Sequence, residues 1–134
     1  MPKTVMRWLM TTFYFAAGMV HLRSPEAFLP IMPLWVPQPL LVVVVTGWCE
    51  LSGAAGLMVP GLRRAAGIGL ALYAVAVFPA NIRHAVEGID IAGMHQDWRY
   101  HLPRLLAQPL LVWWALFCAG VTGWPWGSRS KADV

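Results

Sequence analysis

Four long apolar runs, separated by short polar or proline-rich connections, organise the chain. Within each run the few polar residues recur at helical rather than alternating spacing, so the pattern predicts four helices and no sheet. They cover about residues 5–21, 40–59, 65–86 and 102–120. Pro39 stands at the start of the second run and Pro60-Gly61 closes it, which are helix start and stop signals. The second and third runs are joined by the tight turn Pro60-Gly61-Leu62-Arg63-Arg64. The first and second are joined by LRSPEAFLPIMPLWVPQP, whose five prolines exclude a continuous helix. Its large apolar residues suit a segment lying on a membrane surface. The third connection, EGIDIAGMHQDWRYH, is the most polar part of the chain.

Each run is long enough to cross a bilayer, whose core needs about 20 apolar residues of helix. Composition agrees. Of 134 residues, 58% are hydrophobic and only 12% charged, against roughly 25% charged in soluble domains. The mean hydropathy is +0.57. The expected fold class is all-α: an integral membrane four-helix bundle of up-down topology, in one domain, with an irregular Pro-rich surface segment between the first two helices.

The formal charge of +4 invites a nucleic-acid reading. The basic residues, however, occur in short groups at the ends of apolar runs rather than as a stripe, so no nucleic-acid partner is expected. They read as topology signals. Lys3, Arg7, Arg63, Arg64, Arg129 and Lys131 fall on one side; Arg23, Arg83, Arg99 and Arg104 fall on the other. The excess of positive charge on the first side puts both termini in the cytoplasm. Trp8, Trp124 and Trp126 then mark the inner interface, and Trp35 and Trp98 the outer one. Lys3 and Arg7 before an apolar stretch also resemble a signal peptide, but no small-x-small exit precedes His21, so the first run is read as a retained helix. Cys49 and Cys118 lie within apolar runs without metal-ligand spacing. No metal is expected, and a disulfide between them stays open.

Glu50 is the residue that packing alone explains least well. It is the single charge between Leu40 and Val59, near the bilayer midplane, where an ionised acid costs at least about 2.5–3.5 kcal/mol. Tyr14, Tyr73 and Trp113 lie at similar depth. His21, Thr46, Asn81, His84, Arg104 and Gln108 lie in the outer third, while the inner half holds little that is polar. Tyr14 and His21, Thr46 and Glu50, and Arg104 and Gln108 are seven, four and four residues apart, so each pair shares a helix face. Pro79 and Pro109 free the carbonyls of Val75 and Leu105 and kink their helices in the same half, and such carbonyls must find partners or line a cavity. These observations predict an outward-opening polar pocket. Glu50 and Arg104 would be a buried or water-bridged pair and the candidate catalytic groups. His21, Trp48, Tyr73, Asn81, Gln108 and Trp113 would line the ligand site. Each residue has a structural alternative: Glu50 as a packing hydrogen bond, Arg104 snorkelling to headgroups, His21 and Asn81 satisfying helix carbonyls, Tyr14 and Tyr73 as core aromatics. His84, His95 and His101 read as solvated loop or interface residues. Ser52/Gly56, Ala65/Gly69 and Gly67/Ala71 are spaced for close helix contact.

The same segments resemble the DoxX-like family of small membrane proteins. GMVHLRSPEAFLPIMPLWVPQP is similar to the family's first-loop signature and TGWCELSGAAGLMVP to its second-helix signature. VFPANIRHAVEG looks like the third-helix ending, and RLLAQPLLVWWAL resembles the fourth helix. The resemblance covers about residues 14 to 117. It implies a four-helix bundle in a bacterial inner membrane and places His21, Glu50, Asn81, Arg104 and Gln108 at motif positions. It also implies association with thiol or sulfur redox complexes, a redox protein partner and quinone involvement. A quinone-like or other small amphipathic ligand in the pocket is therefore expected, with Glu50 as the proton-transfer group. Two other readings remain open: an assembly factor or scaffold without a ligand, and a small transporter, which four helices would require to work as a homo-oligomer.

Overall fold

A computed structural model describes residues 2–91, 93–125 and 127. The described residues form five α-helices and no strand: α1 (Pro2–Arg23), α2 (Pro39–Met58), α3 (Arg63–Ala76), α4 (Phe78–Glu87) and α5 (Trp98–Cys118). A 3₁₀ helix, Pro25–Ile31, occupies part of the proline-rich segment. Arg129, Lys131 and Trp126, expected on the inner side, lie outside the described residues.

The third helix, expected as one span kinked at Pro79, is two helices. Pro79 carries no N–H and falls in the first turn of α4, where that loss costs nothing. The chain therefore ends α3 at Ala76, passes through Val77 and starts again. The last helix begins earlier than its prolines suggest. Asp97 caps it, its carboxylate accepting from the Arg99 N–H at 3.0 Å, so Pro103 lies inside α5.

α1 packs on α2, α2 on α3, α3 on α5, and α1 on α5, closing a ring. Close approaches set the register. Gly18 faces Gly47 and Leu51, Gly56 faces Ala66, and Gly67 faces Ala115 and Ala119. Thr11 on α1 donates to the Ala54 carbonyl on α2. Residue numbers rise along one partner as they fall along the other, so neighbouring helices run antiparallel. Of the small-residue pairs, Gly67/Ala71 and Gly56 sit in helix contacts, whereas Ser52, Ala65 and Gly69 are exposed.

The ring is divided along its length. Met10, Tyr14, Ala54, Leu57, Leu70, Ala71, Ala115 and Cys118 form an apolar core at the end near the N-terminus. At that end Arg7 Nε donates to the Cys118 carbonyl (3.2 Å) and Arg63 Nε to the Leu57 carbonyl (3.1 Å). Both cations thus satisfy orphan carbonyls at helix C-termini. Trp114 Nε1 donates to the Met6 carbonyl. At the opposite end α4 packs on α5 and on the 3₁₀ segment, which Arg83 ties down through the Met32 carbonyl while also pairing with Glu87 at 3.0 Å. Cys49 is exposed and Cys118 buried, both as free thiols, so the disulfide left open by the sequence does not form.

Among the described residues, two stretches are long and apolar enough to cross a membrane: Pro39–Met58, and Arg63–Glu87 taken through the break at Val77. α1 and α5 match them in length, but α1 opens on PKTVMR and α5 on WRYHLPR, which lowers their apolarity.

Candidate functional site

The buried polar side chains form two separate networks. Glu50 is the centre of the first. Its helix α2 is almost wholly apolar, and the register against α1 and α3 turns Glu50 inward, leaving it 3% exposed. Its Oε2 lies 2.7 Å from His21 Nδ1 on α1. Its Oε1 accepts from the Tyr73 hydroxyl on α3 at 2.8 Å. Tyr14, fully in the core, meets Tyr73 edge-on with ring centroids 6.1 Å apart. Three helices therefore converge on one carboxyl, and each of its oxygens has a partner.

This geometry has a direction. His21 keeps 20% of its side chain exposed, against 4% for Glu50. Its ring rests on Phe28 of the 3₁₀ segment, centroids 4.2 Å apart. The proline-rich connection thus covers one face of the histidine. His21 is the accessible end of the network and Glu50 the enclosed end. The 2.7 Å Nδ1–Oε2 contact is short enough for a proton to pass along it. The arrangement can accept, hold and return one proton.

Arg104 centres the second network. Its guanidinium forks to α4, Nη1 lying 2.7 Å from His84 Nδ1 and Nη2 donating to Asn81 Oδ1 at 2.6 Å. It also lies over the Tyr100 ring at 5.7 Å. One turn further along α5, Gln108 Nε2 donates to the Ala74 carbonyl at 3.1 Å. That carbonyl lies in the last turn of α3, whose ladder the Val77 break interrupts, so Gln108 supplies the missing donor. His84 and His101 pack edge-to-face, centroids 4.6 Å apart.

The direct Glu50–Arg104 pair expected from the sequence is not among the ion pairs of the described residues. Both groups are satisfied elsewhere: Glu50 by His21 and Tyr73, Arg104 by Asn81 and His84. The break at Val77 explains this, because it swings α4 against α5 and brings Asn81 and His84 within reach of the guanidinium. His21, Glu50 and Tyr73 are brought together, as are Asn81 and Arg104, with Gln108 beside the helix break. Trp48 joins neither network; it is 60% exposed on the outer face of α2. Trp113 stacks on Phe117 and donates to the Trp124 carbonyl at 3.0 Å.

Two histidines read as solvated are core residues: His84 is 0% and His101 2% exposed. Spacing carried a signal for both. Asn81 and His84 are three apart, as are His101 and Arg104, so each histidine shares a helix face with a residue already assigned to the interior. His95 is exposed, as expected, and pairs with Asp90 at 2.9 Å.

A family model described as "Domain of unknown function (DUF8561)" matches residues 10–119, a stretch that contains both networks. No curated protein and no solved structure matches the chain.

Proposed function

From the premise that the chain belongs to the DUF8561 family, we propose that it is a DoxX-like membrane protein whose acid-centred core exchanges a proton with a small amphipathic, quinone-like ligand. In this reading α1, α2, the broken α3–α4 pair and α5 are four spans of a bacterial inner membrane, with both termini cytoplasmic. The support is an inverted surface. Trp8, Leu9, Phe13, Phe15, Trp48, Leu72, Val75, Leu106 and Leu110 point outward, while Glu50, Asn81, His84, His101 and Gln108 are buried. Large apolar side chains exposed on α1, α2, α3 and α5 suit a lipid surrounding, and buried polar groups facing the bundle interior are the membrane pattern. Arg7 and Arg63 at the apolar-core end agree with a cytoplasmic side there.

The observation that carries the functional part is the His21–Glu50–Tyr73 network. A ligand oxygen at His21 Nε2 could donate a proton there while Nδ1 passes one to Glu50 Oε2; the reverse step returns it. Tyr73 holds the other carboxyl oxygen and so keeps Oε2 aimed at His21. Glu50 and His21 are the residues for the proton step, and Phe28 is a wall beside them. Arg104 serves this site indirectly, by holding α4 in place. Electrons for a quinone would come from a redox protein partner.

The test is chemical analysis of lipid extracts from detergent-purified protein. Wild-type protein should carry a quinone, and His21→Phe and Glu50→Leu should lose it while keeping their helical circular dichroism. An empty wild-type protein that copurifies with a stoichiometric membrane protein would instead identify an assembly factor.

A further inference from the structure

Charge is divided unequally between the two ends of the ring. The end near the N-terminus gathers the starts of α1 and α3 and the finishes of α2 and α5. Among the described residues it holds Lys3, Arg7, Arg63 and Arg64 and no acid, whereas Glu26, Glu87, Asp90 and Asp97 belong to the opposite end. The helix dipoles do not offset this charge, because two positive helix ends meet two negative ones there.

Two of these cations are fixed in place. Arg7 and Arg63 are half-buried, and each uses only its Nε–H on a helix carbonyl, that of Cys118 and that of Leu57. Their helices, α1 and α3, stand across the ring from one another. Leu57 and Cys118 belong to one core cluster, so the two guanidiniums approach each other over the same end of the core, close enough to repel. Among the described residues the terminal N–H groups of both have no acceptor, and neither arginine joins an ion pair. Lys3, whose ammonium lies 5.5 Å from the centre of the Phe117 ring, adds charge beside them. Like charges held at partial burial repel more strongly than in open water, and an anion shared between them reverses the sign of that interaction. The two Nη atoms of an arginine present parallel donors that match the oxygens of a phosphate.

We infer that Arg7 and Arg63 together form a binding site for one phosphate group at this end of the ring. The phosphate belongs either to the headgroup of an anionic phospholipid or to a free phosphate ion, since both present the same oxygens. A basic pocket between helices at a cytoplasmic membrane face suits the first source. Exposed Trp8 follows Arg7 and exposed Leu62 precedes Arg63, which supplies apolar surface for acyl chains. The site is separate from Glu50 and does not depend on a quinone. Arg64 is exposed and contributes only diffuse attraction.

The test is thermal unfolding of the full chain in dodecyl maltoside, followed by circular dichroism at constant ionic strength. Phosphatidylglycerol is compared with phosphatidylcholine, which carries the same phosphodiester without net charge, and inorganic phosphate is compared with chloride. At saturation the occupant should raise the midpoint by at least about 4 °C over its control. A shift with phosphatidylglycerol alone identifies the lipid headgroup as the source; a shift with inorganic phosphate identifies the free ion. Arg7→Gln and Arg63→Gln should each lose most of the shift, while Arg64→Gln and Glu50→Leu keep it. The Glu50→Leu result separates this site from the quinone reading, because either can fail while the other stands. Should Arg7→Gln or Arg63→Gln fail to fold, the paired comparisons on wild-type protein decide. The assignment is overturned if neither phosphate source exceeds its control, if both folded arginine variants keep the full shift, or if Arg64→Gln loses as much of it as they do.

Discussion

Replacing Glu50 with glutamine separates the carboxyl's structural contacts from its charge. The amide is nearly isosteric. Its Oε1 can still accept from the Tyr73 hydroxyl, and its Nε2 can donate to His21 Nδ1 once the ring hydrogen moves to Nε2. Both hydrogen bonds of Glu50, at 2.7 and 2.8 Å, therefore survive in neutral form. Hydrogen bonds to charged groups contribute about 1.5–3 kcal/mol and neutral ones about 1. Two bonds weakened in this way cost about 1–4 kcal/mol. Against this, in the proposed membrane reading an ionised acid near the midplane costs at least about 2.5–3.5 kcal/mol, and the substitution removes that cost. The two terms nearly cancel, and the expected loss of stability is no more than about 1.5 kcal/mol. A buried Glu50–Arg104 pair predicts something different. Removing one partner would strand the guanidinium and cost about 3–5 kcal/mol. Unfolding of purified protein in mixed micelles of rising SDS content, followed by far-ultraviolet circular dichroism, measures the difference. A Glu50→Gln loss of about 3 kcal/mol or more would refute the division into two networks.

Other predictions rest on contacts of the same kind. Arg104→Leu leaves the buried Asn81 Oδ1 and His84 Nδ1 without their donor and should cost about 2–6 kcal/mol in the same unfolding assay, at about 1–3 kcal/mol for each orphaned atom. Arg104→Lys, which cannot fork, should fall between this variant and wild type. Gly67→Ala places a Cβ against Ala119 and 2.7 Å from the Ala115 carbonyl. It should lower stability by about 1–3 kcal/mol as α3 and α5 are pushed apart, and a thermal midpoint equal to wild type would contradict the close approach of those two helices. Trp48→Ala, on the outer face, should leave the quinone content of purified protein unchanged; its loss would mean that the ligand binds outside the ring.

The helical class, the length and approximate position of the apolar runs, and the interior placement of Glu50, Asn81 and Gln108 were legible in the chain. The reasons are local: hydrophobic periodicity states what a helix must bury, and a lone acid in an apolar run announces a cost that something must offset. Pairing was not legible. Glu50 and Arg104 carry opposite charges at compatible depths, and depth alone joined them. Whether they meet depends on helix rotation and on where α4 packs after the break at Val77; Pro79 announces the break, but no single segment encodes that packing. That break aims Asn81 and His84 at the guanidinium and leaves Glu50 to His21 and Tyr73. The burial of His84 and His101 and the outward turn of Trp48 have the same origin. A side chain's type and spacing place it on one face of its helix, but only the packing of neighbouring helices decides whether that face meets protein or surroundings.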